Sequence, residues 1–92
     1  MAVQILTVCG AGVGTSEILR VTAQRALQRL GIDAQVTATD AQHVHELAED
    51  AQVVLATSEN VAAIGRTYAE VIVIENIVDQ AEVERKLADA LD

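Results

Sequence analysis

Short apolar runs recur along the chain and predict the strands of a buried sheet. The run Val3–Val8 is mostly aliphatic and β-branched, and Gln52–Ala56 and Val71–Ile74 are similar. Ile32–Thr39 instead alternates between apolar and polar residues. Continuous runs of this length are typical of strands covered on both faces, and alternation is typical of a strand with one covered face. The pattern therefore predicts four strands.

Apolar residues at three- and four-residue spacing predict a helix over Ile18–Leu30, after the first strand. The positions that share its apolar face are Leu19, Ala23, Ala26, Leu27 and Leu30. Gly31 follows at the point where a helix is expected to end, because glycine readily adopts the conformation that terminates helices. Strand and helix together form a first βα unit.

Three further helices are shorter, and a capping residue precedes each of them. Asp40 and Ser58 are expected to cap the first two, and Asp79 with Glu82 three residues later resembles a capping box before the third. The residues assigned to these helices are Val44, Leu47 and Ala48 on one face of the first, Glu59–Ile64 ending at Gly65 for the second, and the stripe Val83, Leu87 and Leu91 for the third.

Strands that alternate with helices predict an α/β fold with a parallel sheet and helices on both faces. Each parallel connection needs a crossover, and such crossovers are right-handed. Ligands bind outside the carboxyl ends of the strands in such sheets, where the winding of the chain reverses. Cys9, the glycine-rich segment after it and Thr57–Ser58 all map to that edge.

Composition limits what this domain can do. Ninety-two residues without repeats or linkers predict one domain over residues 1–92. A net charge of −8 and a single aromatic residue, Tyr68, argue against binding of nucleic acid, which needs basic contacts and base stacking. No apolar run is long enough to cross a bilayer and no signal-like segment is present, so we expect a cytoplasmic protein without membrane insertion. No metal site or cofactor is predicted.

The single cysteine, Cys9, is the candidate reactive group. It follows the first strand and precedes the residues Gly10, Ala11, Gly12, Val13, Gly14, Thr15 and Ser16. A loop that leads into a helix directs backbone N–H groups at one place, and the helix dipole adds positive potential there. Glycines let the backbone approach an anion, and the Thr15 and Ser16 hydroxyls can donate further hydrogen bonds. The same field favours the thiolate of Cys9, so this segment predicts a phosphate-binding site beside a nucleophile.

Alternative interpretations of this segment fit less well. Cys9 as a buried structural residue does not account for the alternating glycines and the hydroxyls after it. A nucleotide P-loop needs a lysine that is absent here, and the dinucleotide fingerprint needs a glycine where Thr15 stands. A non-catalytic anion-binding or regulatory domain, in which Cys9 is never modified, remains open.

A phosphatase of the low-molecular-weight tyrosine phosphatase type is a further alternative. Its motif, Cys-x5-Arg-Ser/Thr, has arginine at the position of Thr15, although Ser16 matches the next position. The missing guanidinium would clamp the phosphoryl oxygens and stabilise the transition state. Its absence argues against rapid hydrolysis and favours a phosphocysteine that persists.

Cys9–Ser16, after the strand residues Ile5–Val8, resembles the active segment of enzyme IIB proteins of the bacterial phosphotransferase system. The ascorbate and galactitol types are the most similar, and the lactose and cellobiose types are related. The resemblance covers nearly the whole chain and implies a four-stranded sheet of order 2-1-3-4 in a Rossmann-like three-layer sandwich. It also implies that Cys9 accepts a phosphoryl group from a phosphohistidine of enzyme IIA. The sugar bound by the membrane enzyme IIC would then receive it, with residues 10–16 holding the phosphate.

Several other polar residues have simpler explanations. His43 and His45 are expected to be exposed or capping residues, because two positions apart on a helix they point in different directions. The carboxylates expected to form a solvated face of the last helix are Glu82, Glu84, Asp89 and Asp92. Glu17 is expected in the first helical turn after the phosphate-binding segment.

Overall fold

The structure is a computed structural model that describes residues 3–8, 13–40, 43–64 and 69–91. The strands in these ranges are β1 (Val3–Val8), β2 (Ala34–Thr39), β3 (Val53–Ala56) and β4 (Glu70–Val73). The α-helices are α1 (Val13–Leu30), α2 (Val44–Leu47), α3 (Val61–Ile64) and α4 (Gln80–Leu91), with 3₁₀ turns at Ala48–Asp50 and Ser58–Asn60. The strands lie within about two residues of their predicted bounds, the usual scatter at element ends.

The four strands form one parallel sheet in the order β2-β1-β3-β4. This confirms the predicted α/β class and the strand order that the resemblance implied. Val8, the last residue of β1, is level with Thr39 of β2 and Ala56 of β3. The chain first moves from β1 to β2 and then crosses back to β3, so the winding reverses between β1 and β3. The carboxyl end of β1 therefore borders the place where ligands bind in such sheets.

Two apolar clusters cover the two faces of the sheet and make three layers. On one face α1 and α4 pack over the sheet, with Ile5, Leu19, Leu27, Leu55, Val83 and Leu87 among the buried residues. On the other face the cluster includes Leu6, Val8, Val44, Val54, Ile64 and Ala69. Burying one such side chain stabilises the fold by roughly 1.5–3 kcal/mol. The alternation of neighbouring strand residues between the two clusters confirms the predicted sandwich.

Helix α1 is longer than predicted, because it begins at Val13 rather than at Ile18. The segment Val13–Ser16, predicted as part of a loop, is its first helical turn. The apolar periodicity starts only further along the helix, and Gly14 is a poor helix former. The N–H groups of a first helical turn have no acceptor within the helix. The residues of this turn also carry no apolar periodicity that would mark them as helical.

The short helix α2 agrees with the prediction in its cap and differs on its apolar face. The Asp40 carboxylate accepts a hydrogen bond from the His43 N–H at 2.9 Å and thereby caps the helix start. Val44 and Ala48 are buried, whereas Leu47 is 43% exposed. Since α2 has only four residues, its single turn cannot bury all three apolar side chains against the sheet.

Glu82 is buried, and the prediction that it belongs to a solvated face is wrong. Its N–H donates to Asp79 Oδ1 at 3.2 Å, which is one half of the expected capping box. The carboxylate does not return to the Asp79 N–H. It accepts hydrogen bonds from the N–H groups of Glu75 at 2.8 Å and Asn76 at 2.9 Å, and Lys86 Nζ donates to it at 2.8 Å. The segment after β4 folds back over the start of α4, which helical periodicity alone does not reveal.

The other acidic residues of the last helix vary in exposure. Asp89 is exposed as predicted, while Glu84 is partly buried and pairs with Arg29 at 3.3 Å. Asp92 and the predicted helix stop Gly65 lie outside the described residues. Among the helices within those residues, none combines the length and the apolar character needed to cross a membrane.

Candidate functional site

The predicted phosphate-binding segment spans the connection from β1 to α1. β1 ends at Val8 and α1 begins at Val13. Four of the predicted site residues fall between these elements and lie outside the described residues: Cys9, Gly10, Ala11 and Gly12. The other four, Val13, Gly14, Thr15 and Ser16, form the first turn of α1. The sequence-predicted site therefore combines a short connection with a helix start at the carboxyl edge of the sheet.

A buried hydrogen bond fastens the helix start to the end of β1. Thr7 Oγ1 donates to the carbonyl oxygen of Ser16 at 2.9 Å, and neither residue is exposed. Thr15 is partly buried beside it. Since β1 and the first turn of α1 are joined both by residues 9–12 and by this bond, the two ends of the connection are held in fixed positions. The sequence analysis missed Thr7, although a polar residue within an apolar strand, two positions before Cys9, is a signal for it.

The electrostatic environment of the helix start is favourable for an anion. Helix α1 has eighteen residues and no acidic side chain in its first turn. Aligned peptide dipoles place roughly half a positive charge at such an end. Glu17, which the sequence analysis placed in the first turn, lies in the second turn because α1 starts at Val13. Arg20 Nε donates to the Glu17 carboxylate, and this ion pair offsets the negative charge.

The turn after β3 supplies polar groups next to the end of β1. Thr57 precedes the 3₁₀ turn Ser58–Asn60, so the predicted cap residue Ser58 is already inside the helical segment. The Asn60 side chain is buried and donates through Nδ2 to Thr57 Oγ1 at 2.8 Å, and its N–H donates to the Thr57 carbonyl at 2.9 Å. Thr57 Oγ1 donates in turn to the Glu59 carboxylate at 3.3 Å. Asn60, which the sequence analysis did not single out, thus fixes the Thr57 hydroxyl at this edge.

The two histidines are exposed, as predicted. The His43 ring nitrogen Nδ1 lies 2.8 Å from Asp40 Oδ1, and His45 Nδ1 lies 3.2 Å from the carbonyl oxygen of Ile64. No group of three or more histidine, cysteine or acidic side chains is arranged for a metal ion within the described part of the chain. The contacts with Asp40 and Ile64 account for the two histidines in structural terms.

Comparison with solved structures agrees with the fold. The lactose-specific IIB component domain of the phosphoenolpyruvate:carbohydrate phosphotransferase system from Streptococcus pneumoniae superposes with a TM-score of 0.70. The alignment covers 100% of both chains at 10% sequence identity. At this identity the likeness establishes the shared fold alone.

Comparison of sequences identifies the family. The ascorbate-specific EIIB component of the phosphotransferase system from Mycoplasma pneumoniae is 22% identical over 88 residues, which is 95% of this chain and 93% of that protein. The family model described as the lactose/cellobiose-specific IIB subunit of the phosphotransferase system matches residues 4–89. Because this match spans nearly the whole chain, the protein belongs to the lactose/cellobiose-specific IIB subunit family and is a IIB component of the sugar phosphotransferase system.

Proposed function

We propose that this protein carries a phosphoryl group on Cys9, between a phosphohistidine of enzyme IIA and a sugar bound by the membrane enzyme IIC. The observation that carries the proposal is the position of Cys9 in the chain. It is the first residue after β1, in a connection that leads to the helix start Val13–Ser16. Family membership makes the protein a component of a phosphotransferase, and the proposal names the residue and the two exchange partners.

The surroundings of this connection support phosphoryl chemistry. The N–H groups of the first turn of α1 have no acceptor within the helix, and the helix dipole favours negative charge there. Thr15, which is only partly buried, adds a hydroxyl group, whereas Ser16 is fully buried. The nearest carboxylate along the helix, on Glu17, is paired with Arg20. Such an environment stabilises both a thiolate and the phosphoryl oxygens that it attacks.

Transfer proceeds in two displacements at phosphorus. In the first, Cys9 Sγ forms a bond to phosphorus while the phosphorus–nitrogen bond to the donor imidazole breaks, and the released imidazole takes up a proton. In the second, a sugar hydroxyl oxygen bonds to phosphorus, the sulfur–phosphorus bond breaks, and the hydroxyl proton passes to a base or to water. Cys9 leaves as a thiolate, which the positive end of α1 stabilises. This cycle places the protein on the cytoplasmic side of the membrane.

The proposal is tested by intact-mass measurement after incubation with phosphoenolpyruvate and the upstream phosphotransferase proteins, including enzyme IIA. We expect the wild-type chain to gain the mass of one phosphoryl group, whereas Cys9→Ser gains none because a serine hydroxyl is far less nucleophilic than a thiolate. Equal gain in both proteins, or no gain in either, contradicts the proposal.

A second measurement on the same samples distinguishes a carrier from a hydrolase. Turnover of an aryl phosphate by the wild-type chain would favour the phosphatase alternative. We expect none above the Cys9→Ser background, because Thr15 stands where a phosphatase has its arginine.

A further inference from the structure

A groove beside the start of α1 exposes apolar side chains that the fold leaves uncovered. Its volume is about 470 Å³, and its lining combines the apolar residues Ile18, Val21 and Val78 with the polar and charged residues Glu17, Arg20, Thr22 and Arg25. Ile18 is 47% exposed and Val78 is 67% exposed, the highest value among the large hydrophobic side chains of the described residues. Ile18 lies five residues after the helix start, roughly 8 Å along the axis. The groove, called here the Ile18–Val78 groove, therefore adjoins the proposed phosphoryl site.

Val78 is held at the tip of a well-fastened turn. The Asp79 N–H donates to the Asn76 carbonyl at 3.0 Å, which closes a turn over residues 76–79, and the Val78 N–H donates to Asn76 Oδ1 at 3.1 Å. Turn tips usually carry glycine, proline, asparagine, aspartate or serine rather than valine. An apolar residue at this tip gains nothing from burial within the chain, which points to a contact outside it.

Three further hydrogen bonds fix the turn relative to both helices of that face. Thr22 Oγ1 of α1 donates to the carbonyl oxygen of Ile77 at 2.7 Å. The carboxylate of Glu82 in α4 accepts the N–H groups of Glu75 and Asn76. Val78 and Ile18 are consequently held in a fixed relation before any partner arrives, and preorganised contacts lose little entropy on binding.

The charge of the groove contrasts with that of the molecule. The chain carries a net charge of −8 and only six lysines and arginines. Arg20 is paired with Glu17, whereas none of the ion pairs among the described residues involves Arg25, which is exposed. The groove thus presents one unpaired positive charge beside an apolar surface, and it is complementary to an apolar patch flanked by carboxylates.

We infer that the Ile18–Val78 groove is the docking surface for the phosphoryl-donor protein, enzyme IIA, through an apolar patch with a carboxylate that pairs with Arg25. The inference rests on the proposed function and adds the surface and the chemistry of the partner. A second copy of this chain is a poor occupant, because two molecules that each carry a net charge of −8 repel one another. An anionic membrane is a poor occupant as well, since it repels a strongly acidic molecule.

A second groove fits a partner less well. It has a volume of about 410 Å³ and lies between α4 and the end of α1, where Arg29 pairs with Glu84 across it. Helix α1 starts at the carboxyl edge of the sheet, so its last turn lies far from the phosphoryl site. A protein bound there would not reach Cys9.

The test compares rates of phosphoryl transfer from phosphorylated enzyme IIA at increasing donor concentration. Ile18→Gln and Val78→Asn remove apolar contact without adding charge, and Leu47→Gln is the matched control, an exposed apolar residue on α2. Arg25→Gln removes the unpaired positive charge of the groove, and Arg85→Gln on α4 is its control. We expect KM to rise about tenfold for each apolar variant, with kcat within about twofold. We expect a smaller rise for Arg25→Gln, a weaker dependence on salt in that variant, and no change in the controls.

The outcomes separate this inference from the proposed function. If the wild-type chain accepts no phosphoryl group, both fail. If it accepts the group and the apolar variants retain the wild-type KM, or the controls lose as much, the docking surface is wrong while the carrier function stands. Binding of unphosphorylated enzyme IIA, followed by NMR titration, must weaken in the same variants. If the protein self-associates or binds phosphatidylglycerol vesicles, and Val78→Asn abolishes that behaviour, then the groove has another occupant and the inference is overturned.

Discussion

Glu82 has a carboxylate that is buried in the fold. Nearby hydrogen-bond donors compensate for the solvation that the carboxylate loses. Burial by itself raises the pKa of a carboxyl group, because it disfavours the charged form. Here the N–H of Glu75, the Lys86 ammonium group and the N–H of Asn76 stabilise the carboxylate and outweigh that effect. The pKa of Glu82 falls from an ordinary 4.5 to about 2. Lys86 also donates to the carbonyl oxygen of Val73 at 2.7 Å, so one network joins β4, the turn and α4.

Replacing Glu82 by glutamine is expected to destabilise the protein at neutral pH by about 2 kcal/mol, since charge-assisted hydrogen bonds to three donors are lost. An unfolded glutamate binds its proton near pH 4.3, whereas folded Glu82 does so near 2. Between these pH values the unfolded state binds more protons than the folded state. The contribution of the Glu82 carboxylate to the free energy of unfolding is therefore complete above about pH 4.5 and is lost as the pH falls toward 2. Urea unfolding of wild type and Glu82→Gln across this range measures the difference.

Glu84→Gln is the matched control, because Glu84 lies on the same helix and its partner Arg29 is 72% exposed. A pair of that kind contributes less than about 1 kcal/mol. If the difference in unfolding free energy between wild type and Glu82→Gln does not shrink below pH 4.5, the charge of Glu82 is not what stabilises the turn.

Single residues also show where prediction from sequence stops. His43 and the Asp40 cap were predictable because their contacts lie within a few residues. The burial of Glu82 depends on a turn six or seven residues before it, and the role of Thr7 depends on Ser16. Neither contact leaves a periodic signal in the sequence. For Thr7, the signal in the sequence is that it is a polar residue within an apolar strand.

At the scale of elements, α1 ends as its sequence predicts. Gly31 has φ +72°, its N–H donates to the Gln28 carbonyl at 3.2 Å, and the Ile32 N–H donates to the Leu27 carbonyl at 3.0 Å. These two bonds form a Schellman motif, in which a left-handed residue satisfies the last carbonyls of the helix. Ile32 also packs on the same apolar cluster as Leu27. The motif turns the chain into β2 in few residues.

Gly31→Ala is expected to lower the free energy of unfolding by about 1 kcal/mol, since a side chain disfavours positive φ. Space is available there, because a Cβ on Gly31 would meet nothing within 4 Å among the described residues. Gly31→Asn is the control, because asparagine tolerates this conformation better and is expected to lose less. Thermal unfolding compares the three proteins, and equal stability of all three would contradict the assigned cause.

The start of α1 was less predictable than its end. Glycine and hydroxyl residues over 10–16 favour a loop by composition, and the apolar periodicity begins only at Ile18. Tertiary contacts decide the helix start instead, among them the bond from Thr7 to the Ser16 carbonyl. As a result the predicted phosphate-binding loop is divided between residues 9–12 and a helical turn.

At the scale of the whole molecule, the order of apolar runs and helices was sufficient to predict an α/β sandwich. Crossovers place α1 and α4 on one face and α2 and α3 on the other, and the register aligns the carboxyl ends of β1, β2 and β3. This edge receives the connection that contains Cys9, the Thr57–Asn60 turn and the Ile18–Val78 groove. A donor protein seated in the groove would approach the same edge, so phosphoryl exchange is proposed to occur there.

The most direct measurement is to locate the phosphoryl group within the chain. The wild-type protein is phosphorylated by enzyme IIA, digested at once, and its peptides are fragmented in a mass spectrometer. The account predicts one phosphoryl group, on the peptide that contains Cys9 and on its sulfur. A phosphoryl group found on His43, on His45 or on any other residue, with Cys9 unmodified, would contradict it.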